Sequence, residues 1–376
     1  MAGIYIHIPF CRKACYYCNF HFSTSLKHID DFFIALLQEI ELQKSYLCGQ
    51  NIDTVYFGGG TPSLSTMEQL GGVLEKLKAT FTINPGAEIT LEANPDDISL
   101  PVLQDWKKLG INRLSIGVQS FRNEDLAWMN RVHGVNQAVQ SVKLSQEAGF
   151  HNITIDLIYG VPGMDDAAWE KNIQTATGLN VPHLSCYALT VEPGTALDKM
   201  IALNKKEPVD AALAARHFDL LVQETAAAGF EQYEISNFSR PGFRSRHNTS
   251  YWKGIHYLGL GPSAHSFNGT ARQWNVASNI KYIRSLNAGI IPFEQEILTT
   301  EQKLNEYVMT ALRTIEGASL DHIEQHFGKA HSERIKKESG KYTETGKLDL
   351  KGNILLLTPA GKFFADGIAA DLFYLP

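Results

Sequence analysis

The sequence predicts an α/β fold, a partial (β/α)6 TIM-like barrel with a small C-terminal winged-helix-like domain. Strand-like and helical runs alternate from the start to about residue 190, as parallel β/α units do. Periodicity alone does not separate an open barrel of six units from a doubly wound sheet, so the placement of polar residues carries weight. Each predicted strand stops at something chemically distinctive, and both parallel architectures gather ligands beyond the carboxyl ends of their strands. Beyond 190 the alternation fades, and the tail from about Thr299 reads as a separate small unit.

The first strand is Ile4-Tyr5-Ile6-His7-Ile8, and the loop after it carries Cys11, Cys15 and Cys18. Ile29, Phe32, Phe33, Leu36, Leu37 and Ile40 then fall at helical spacing, which gives a helix with one apolar face. Further strands are expected at Thr54 to Phe57, Glu88 to Ala93, Arg113 to Gly117, Ile153 to Ile158 and His183 to Ala188, each followed by a helical stretch. The second strand ends at Gly58-Gly59-Gly60-Thr61-Pro62, the third at Glu92-Ala93-Asn94-Pro95 and the fourth at Gly117-Val118-Gln119-Ser120-Phe121; Asp156 sits within the fifth. Pro208 to Ala228 reads as a long helix with Leu213, Phe218, Leu221 and Val222 toward a core. In the tail, helices at Glu301 to Ile315, Leu320 to Phe327 and Ala330 to Ser339 precede Leu348 to Leu357, whose Lys351-Gly352-Asn353 centre reads as a hairpin turn. The division expected is 1–295 for the barrel with its extension and 296–376 for the C-terminal domain.

Composition excludes some functions. A net charge of −6 without a basic stripe argues against a general affinity for nucleic acid. Five cysteines, an odd number with Cys48 and Cys186 far apart, do not make a disulfide framework, which points to a reducing compartment and so to the cytoplasm. The apolar start, Met1 to Phe10, is interrupted by His7 and Pro9 and lacks a basic leader, so it reads as neither signal peptide nor membrane span.

Three thiols on so tight a loop point to soft-metal or iron–sulfur ligation. Three protein ligands on a four-coordinate centre leave one position open, as a ligand-binding cluster needs. A structural zinc completed by His21, or unligated thiols, are the alternatives. The glycine run lets backbone approach a ligand closely and aim amide groups at a carboxylate. No Lys-Ser/Thr follows it and the Rossmann spacing is absent, so it is not a nucleotide phosphate loop. Glu92, Gln119, Arg131 and Asp156 supply complementary partners for an amino acid carrying both signs of charge and for a ribose, with Arg131 suited to a carboxylate.

Cys11-x3-Cys15-x2-Cys18 with Tyr17 beside the last cysteine, followed by Gly58-Gly59-Gly60-Thr61-Pro62, resembles the radical S-adenosylmethionine superfamily. Gly117 to Phe121, Asn130-Arg131, Asp156-Leu157-Ile158-Tyr159-Gly160-Val161-Pro162 and Pro193-Gly194-Thr195 look like the oxygen-independent coproporphyrinogen III oxidase group, and the match covers nearly the whole chain. The resemblance implies a radical SAM barrel in which Cys11, Cys15 and Cys18 ligate three irons of a [4Fe-4S] cluster and S-adenosylmethionine takes the fourth. It implies S-adenosylmethionine contacts at Tyr5, Tyr17, Gly59, Gly60, Thr61, Glu92, Gln119, Arg131, Asp156 and Ala188, some of them around a second copy. Reductive cleavage of the sulfonium to a 5′-deoxyadenosyl radical would then be cofactor chemistry that the protein only aims.

Two departures separate this chain from the oxidases. Phe20 stands where they resemble a fourth cysteine, and the first strand starts almost at Met1, without their N-terminal arm. Both features resemble the heme-chaperone branch of the family, in which heme is bound and passed to an acceptor protein. His247-Asn248-Thr249-Ser250-Tyr251-Trp252 resembles the stretch linked with heme binding there, which makes His247 a candidate heme ligand and His265 a weaker one. Arg240, Arg244 and Arg246 read as solvated, with heme propionates as the alternative partners. The expected cofactors are therefore a [4Fe-4S] cluster, S-adenosylmethionine and heme, and the expected partners a heme acceptor, a respiratory protein being one candidate, and an electron donor for the cluster. The alternative is the oxidase itself, and whether the chain is an enzyme stays open at this stage.

Overall fold

Ile4, Ile6 and Ile8 alternate with Tyr5 and His7, yet all but Tyr5 are buried, as in a strand covered on both faces. In the computed structural model, which describes residues 1–374, this strand is β1 (Ala2–Ile8), an interior strand of the main sheet. It is followed by β2 (Ile52–Gly59), β3 (Ile83–Ala93), β4 (Arg113–Gln119), β5 (Asn152–Tyr159) and β6 (His183–Ala188), which pair side by side in chain order and all parallel. The crossovers hold α1 (Ile29–Leu42), α2 (Met67–Thr80), α3 (Leu100–Leu109), α4 (Asn123–Trp128), α5 (Val135–Glu147) and α6 (Asp166–Gly178). A doubly wound sheet reverses its strand order at a switch point; this order never reverses, so the six units curl into an open barrel.

After α7 (Ala196–Ala202) and α8 (Ala211–Ala227), six short strands extend the sheet at both ends. β7 (Glu231–Glu234) and β8 (Asn237–Ser239) continue from β6. Beyond α9 (Arg246–Trp252), β9 (Tyr257–Leu260) adds in parallel to β1, and β10 (His265–Phe267), β11 (Ala271–Asn275) and β12 (Phe293–Ile297) follow antiparallel, with α10 (Asn279–Asn287) between the last two. The result is one mixed sheet of twelve strands, open at β12 and β7. Sequence periodicity predicts none of these six, because runs of three to five residues are too short to show it.

The tail forms α11 (Thr300–Leu312), β13 (Ala318–Ser319), α12 (Leu320–Phe327), α13 (Lys329–Glu338), α14 (Gly340–Glu344), the hairpin of β14 (Leu348–Lys351) and β15 (Ile354–Leu357), α15 (Pro359–Lys362) and α16 (Ala365–Asp371). Gly352 takes φ +63° in the two-residue turn, a conformation that favours glycine. Leu304, Val308, Leu312, Ile323, Ile335, Leu348 and Leu355 build an apolar cluster of their own here, apart from that of the barrel. Among the described residues no helix is long and apolar enough to cross a membrane.

Candidate cofactor-binding site

The cysteine loop is held from several sides. Cys11 N–H donates to Ser23 O at 3.0 Å, Tyr16 N–H to Met129 O at 3.2 Å, and Leu197 N–H to Tyr16 O at 2.8 Å. Asn130, at φ +65°, reaches back from the turn after α4 and donates its side-chain amide to Ala14 O at 2.7 Å. The loop therefore stands over the carboxyl ends of the strands, where a cavity of about 700 Å³ opens.

Cys11, Cys15 and Cys18 line this cavity together with Tyr17, Gly59, Gly60, Thr61, Glu92, Gln119, Arg131, Asp156 and Ala188. Gly60 packs so closely beneath the loop that a Cβ would lie 2.7 Å from Phe10 O and 3.0 Å from Cys11 Sγ, a space only glycine leaves open. Arg131 is aimed by Asn94 Oδ1 at 2.6 Å and Gly117 O at 2.7 Å, which puts Nη1 3.3 Å from Cys15 Sγ. Gln119 holds φ +68° at the end of β4, a strained conformation for a side-chain-bearing residue in the cavity wall. Burial is the main cause of the raised Cys11 and Cys18 thiol pKa values, that of Cys18 reaching about 11, so both stay protonated without a cation.

Two carboxyls form the acidic part of the interior. Glu92 accepts from Tyr56 Oη at 2.8 Å and from Gly59 N–H at 3.2 Å, and burial pushes its pKa up to about 7. Asp156 accepts from Ser115 Oγ at 3.2 Å, and burial raises it to about 6. A cation or a ring of hydroxyl donors brought into the cavity would restore the charge that burial disfavours.

Three residues weighed for ligand contact, Tyr5, His247 and His21, are not among those lining the cavity. Tyr5 lies behind the wall, its hydroxyl bonded to His7 Nδ1 at 3.1 Å and its ring stacked 6.1 Å from Tyr56. His247 is buried at the foot of the barrel, with Nδ1 bonded to Thr54 Oγ1 at 2.8 Å and Nε2 to Tyr251 Oη at 2.9 Å. Both ring nitrogens are committed, so in this arrangement His247 offers none to an iron. His21 turns away to Asn279 Oδ1 at 2.7 Å, so in this arrangement its Nε2 is engaged outside the cysteine loop. The three arginines are engaged as well: Arg244 pairs with Glu231 and Glu316, Arg246 bonds Gly86 O, and Arg240 covers the Phe230 ring.

Sequence reasoning missed a further part of the wall. Tyr187 precedes Ala188 at the end of β6, and Arg313, Lys362, Phe363 and Asp366 arrive from the C-terminal unit. A strand-end position marks Tyr187; no local signal marks the others, whose place depends on how the tail docks.

Residues 5–176 match the Radical SAM superfamily, and residues 298–364 match the HemN C-terminal domain. "Heme chaperone HemW" of Mycobacterium tuberculosis (strain H37Rv) is 35% identical, the alignment covering 98% of this chain and 94% of that protein. The protein of the same name from Bacillus subtilis is 31% identical over 98% of each, and that of Escherichia coli 37% identical over 70% of this chain and 69% of its own. The solved structure of coproporphyrinogen III oxidase (HemN) from Escherichia coli superposes with a TM-score of 0.86, covering 99% of this chain and 90% of that one at 23% identity, which shows a shared fold. With relatives aligned along nearly its full length, the chain belongs to the heme chaperone HemW family of the radical SAM superfamily.

Proposed function

We propose that the chain is a heme chaperone, which binds heme and passes it to an acceptor protein, on a scaffold that holds a [4Fe-4S] cluster and S-adenosylmethionine. The observation that carries this reading is the cysteine loop, where three thiols line the cavity and Phe20 stands 67% exposed in place of a fourth. The donor set fits a cluster, since three soft ligands on one loop leave one coordination position open. The glycine cradle at Gly60 and the guanidinium beside Cys15 fit it too.

In this reading Cys11, Cys15 and Cys18 hold the cluster, which supplies reducing electrons when bound. Arg131 offsets thiolate charge across 3.3 Å, and its fixed guanidinium suits a carboxylate. Glu92 takes an ammonium group, Asp156 takes ribose hydroxyls, and the backbone of Gly59, Gly60 and Thr61 lets the ligand lie close against the barrel. Tyr17, Gln119 and Ala188 close the remaining wall against water. Tyr5 supports Gly58 from behind, where a Cβ on that glycine would meet its ring at 2.9 Å.

The test is a heme titration of the anaerobically reconstituted protein, followed in the Soret band beside a porphyrinogen turnover assay with reductant and S-adenosylmethionine. Saturable one-to-one binding without turnover is expected, with transfer to an apo-acceptor on mixing. Turnover with only weak, non-stoichiometric heme binding would make the chain an oxidase despite Phe20. The Cys11→Ser variant is expected to lose iron and sulfide; full content in that variant would remove the ligand assignment.

A further inference from the structure

The mouth of the cavity carries three aromatic side chains from three separate parts of the chain. Phe20 on the cysteine loop is 67% exposed, Tyr187 at the end of β6 is 45% exposed, and Phe363 just after α15 is 38% exposed. Large apolar groups scattered singly over a surface need no explanation, but three exposed rings that line one cavity point to a binding site.

Two lysines line the same cavity. Lys13 is exposed on the cysteine loop, and Lys362 bonds the neutral side-chain oxygen of Gln232 at 2.7 Å, a contact that leaves its charge uncompensated. Arg313, by contrast, is neutralised by Glu234 at 2.9 Å and Asp366 at 2.5 Å. The interior sets the carboxyls of Glu92 and Asp156 beside the guanidiniums of Arg113 and Arg131, so its charges are close to balance. A dianionic ligand would find the uncompensated positive charge at the rim, on Lys13 and Lys362. A flat apolar ring bearing two carboxylates matches both halves of this pattern, with aromatic faces for the ring and ammonium groups for the carboxylates.

We propose that heme seats at this mouth, its macrocycle against Phe20, Tyr187 and Phe363 and its propionates on Lys13 and Lys362, with the interior wall left to S-adenosylmethionine. The placement rests on the heme-chaperone reading above. Among the described residues no histidine lines the cavity, so a heme seated here takes no imidazole from that wall. Phe20 then has a use of its own, as an apolar face at the heme seat where a fourth thiol would otherwise stand.

The experiment compares heme with heme dimethyl ester, titrated into the full reconstituted chain. Phe20→Ala/Phe363→Ala is expected to weaken both ligands by about tenfold or more, since it removes two ring contacts. Lys362→Ala is expected to weaken heme by about tenfold through loss of a charge-assisted contact, and Lys362→Arg to restore it. The same Lys362→Ala change should leave the ester unaffected, a selectivity that a general loss of structure does not produce. All three positions are at least partly exposed, and unchanged iron content and circular dichroism are the controls for folding. Wild-type affinity in every variant, or equal losses for heme and ester in Lys362→Ala, overturns this seat while leaving the chaperone reading intact. No saturable binding by the wild type overturns the chaperone reading and the seat with it.

Discussion

His247 shows how the surroundings of a motif residue bear on the role it can take. Burial pushes its pKa down to about 3, so the ring is neutral, with one donor and one acceptor nitrogen, and the hydroxyls of Thr54 and Tyr251 satisfy both. The ring also stacks 5.0 Å from Tyr56. Its work is to pin α9 beneath β1 and β2. His247→Ala is expected to cost about 2–3 kcal/mol, from two stranded hydroxyls and a cavity, while the folded variant keeps wild-type heme affinity. Denaturant unfolding beside a heme titration checks both; heme affinity lost without loss of stability would return the ligand role to this imidazole. The cysteines were legible because thiol chemistry and spacing are local. Which nitrogen of a histidine is free depends on neighbours 193 residues away in sequence.

At the level of elements, α1 carries an apolar face of Phe32, Phe33, Leu36 and Ile40 that its spacing predicts, but also Glu39 on the buried side. That carboxyl ties the helix to the sheet extension by accepting from Gly261 N–H at 2.8 Å and Tyr282 Oη at 2.6 Å. Burial raises its pKa from 4.5 to about 7. Because the folded state holds the proton more tightly, the contribution of this group is fully present below about pH 4.5 and is lost as pH rises to about 7. The full swing is at most about 3 kcal/mol, from the free energy of a pKa unit. Glu39→Gln keeps an acceptor and removes the titration, so its stability relative to the wild type should rise between pH 5 and pH 7.5 in thermal melts. Parallel pH profiles for the two proteins would refute the assignment. The long elements were legible by period, whereas β7 to β12 were not, since a strand of three to five residues with an exposed face is defined by its partners rather than by its own pattern.

For the whole molecule, the decisive contact is between the barrel and its C-terminal unit. Arg313 meets Glu234, which is 1% exposed, while Ile235 N–H donates to Arg313 O and Ile315 N–H to Tyr233 O, both at 3.1 Å. This docking brings Lys362 and Phe363 to the cavity. Arg313→Ala leaves Glu234 buried without its counter-ion and is expected to destabilise the protein by about 3 kcal/mol or more. Adding Glu234→Gln should recover part of that loss, and hydrogen exchange should quicken in Ala365–Asp371 in the single variant; unchanged protection there would show that the clamp does not hold the unit. The sequence by itself determined the parallel β/α alternation, the winged tail, the thiol triad and the polar rim, because apolar period, turn chemistry and ligand spacing are local properties of the chain. The tertiary structure alone decided that the strand order never reverses, that Tyr5 and His247 lie behind the cavity, and that the tail completes its mouth. Those outcomes depend on long-range packing and on which buried polar groups find partners, and neither is encoded in any short stretch of residues.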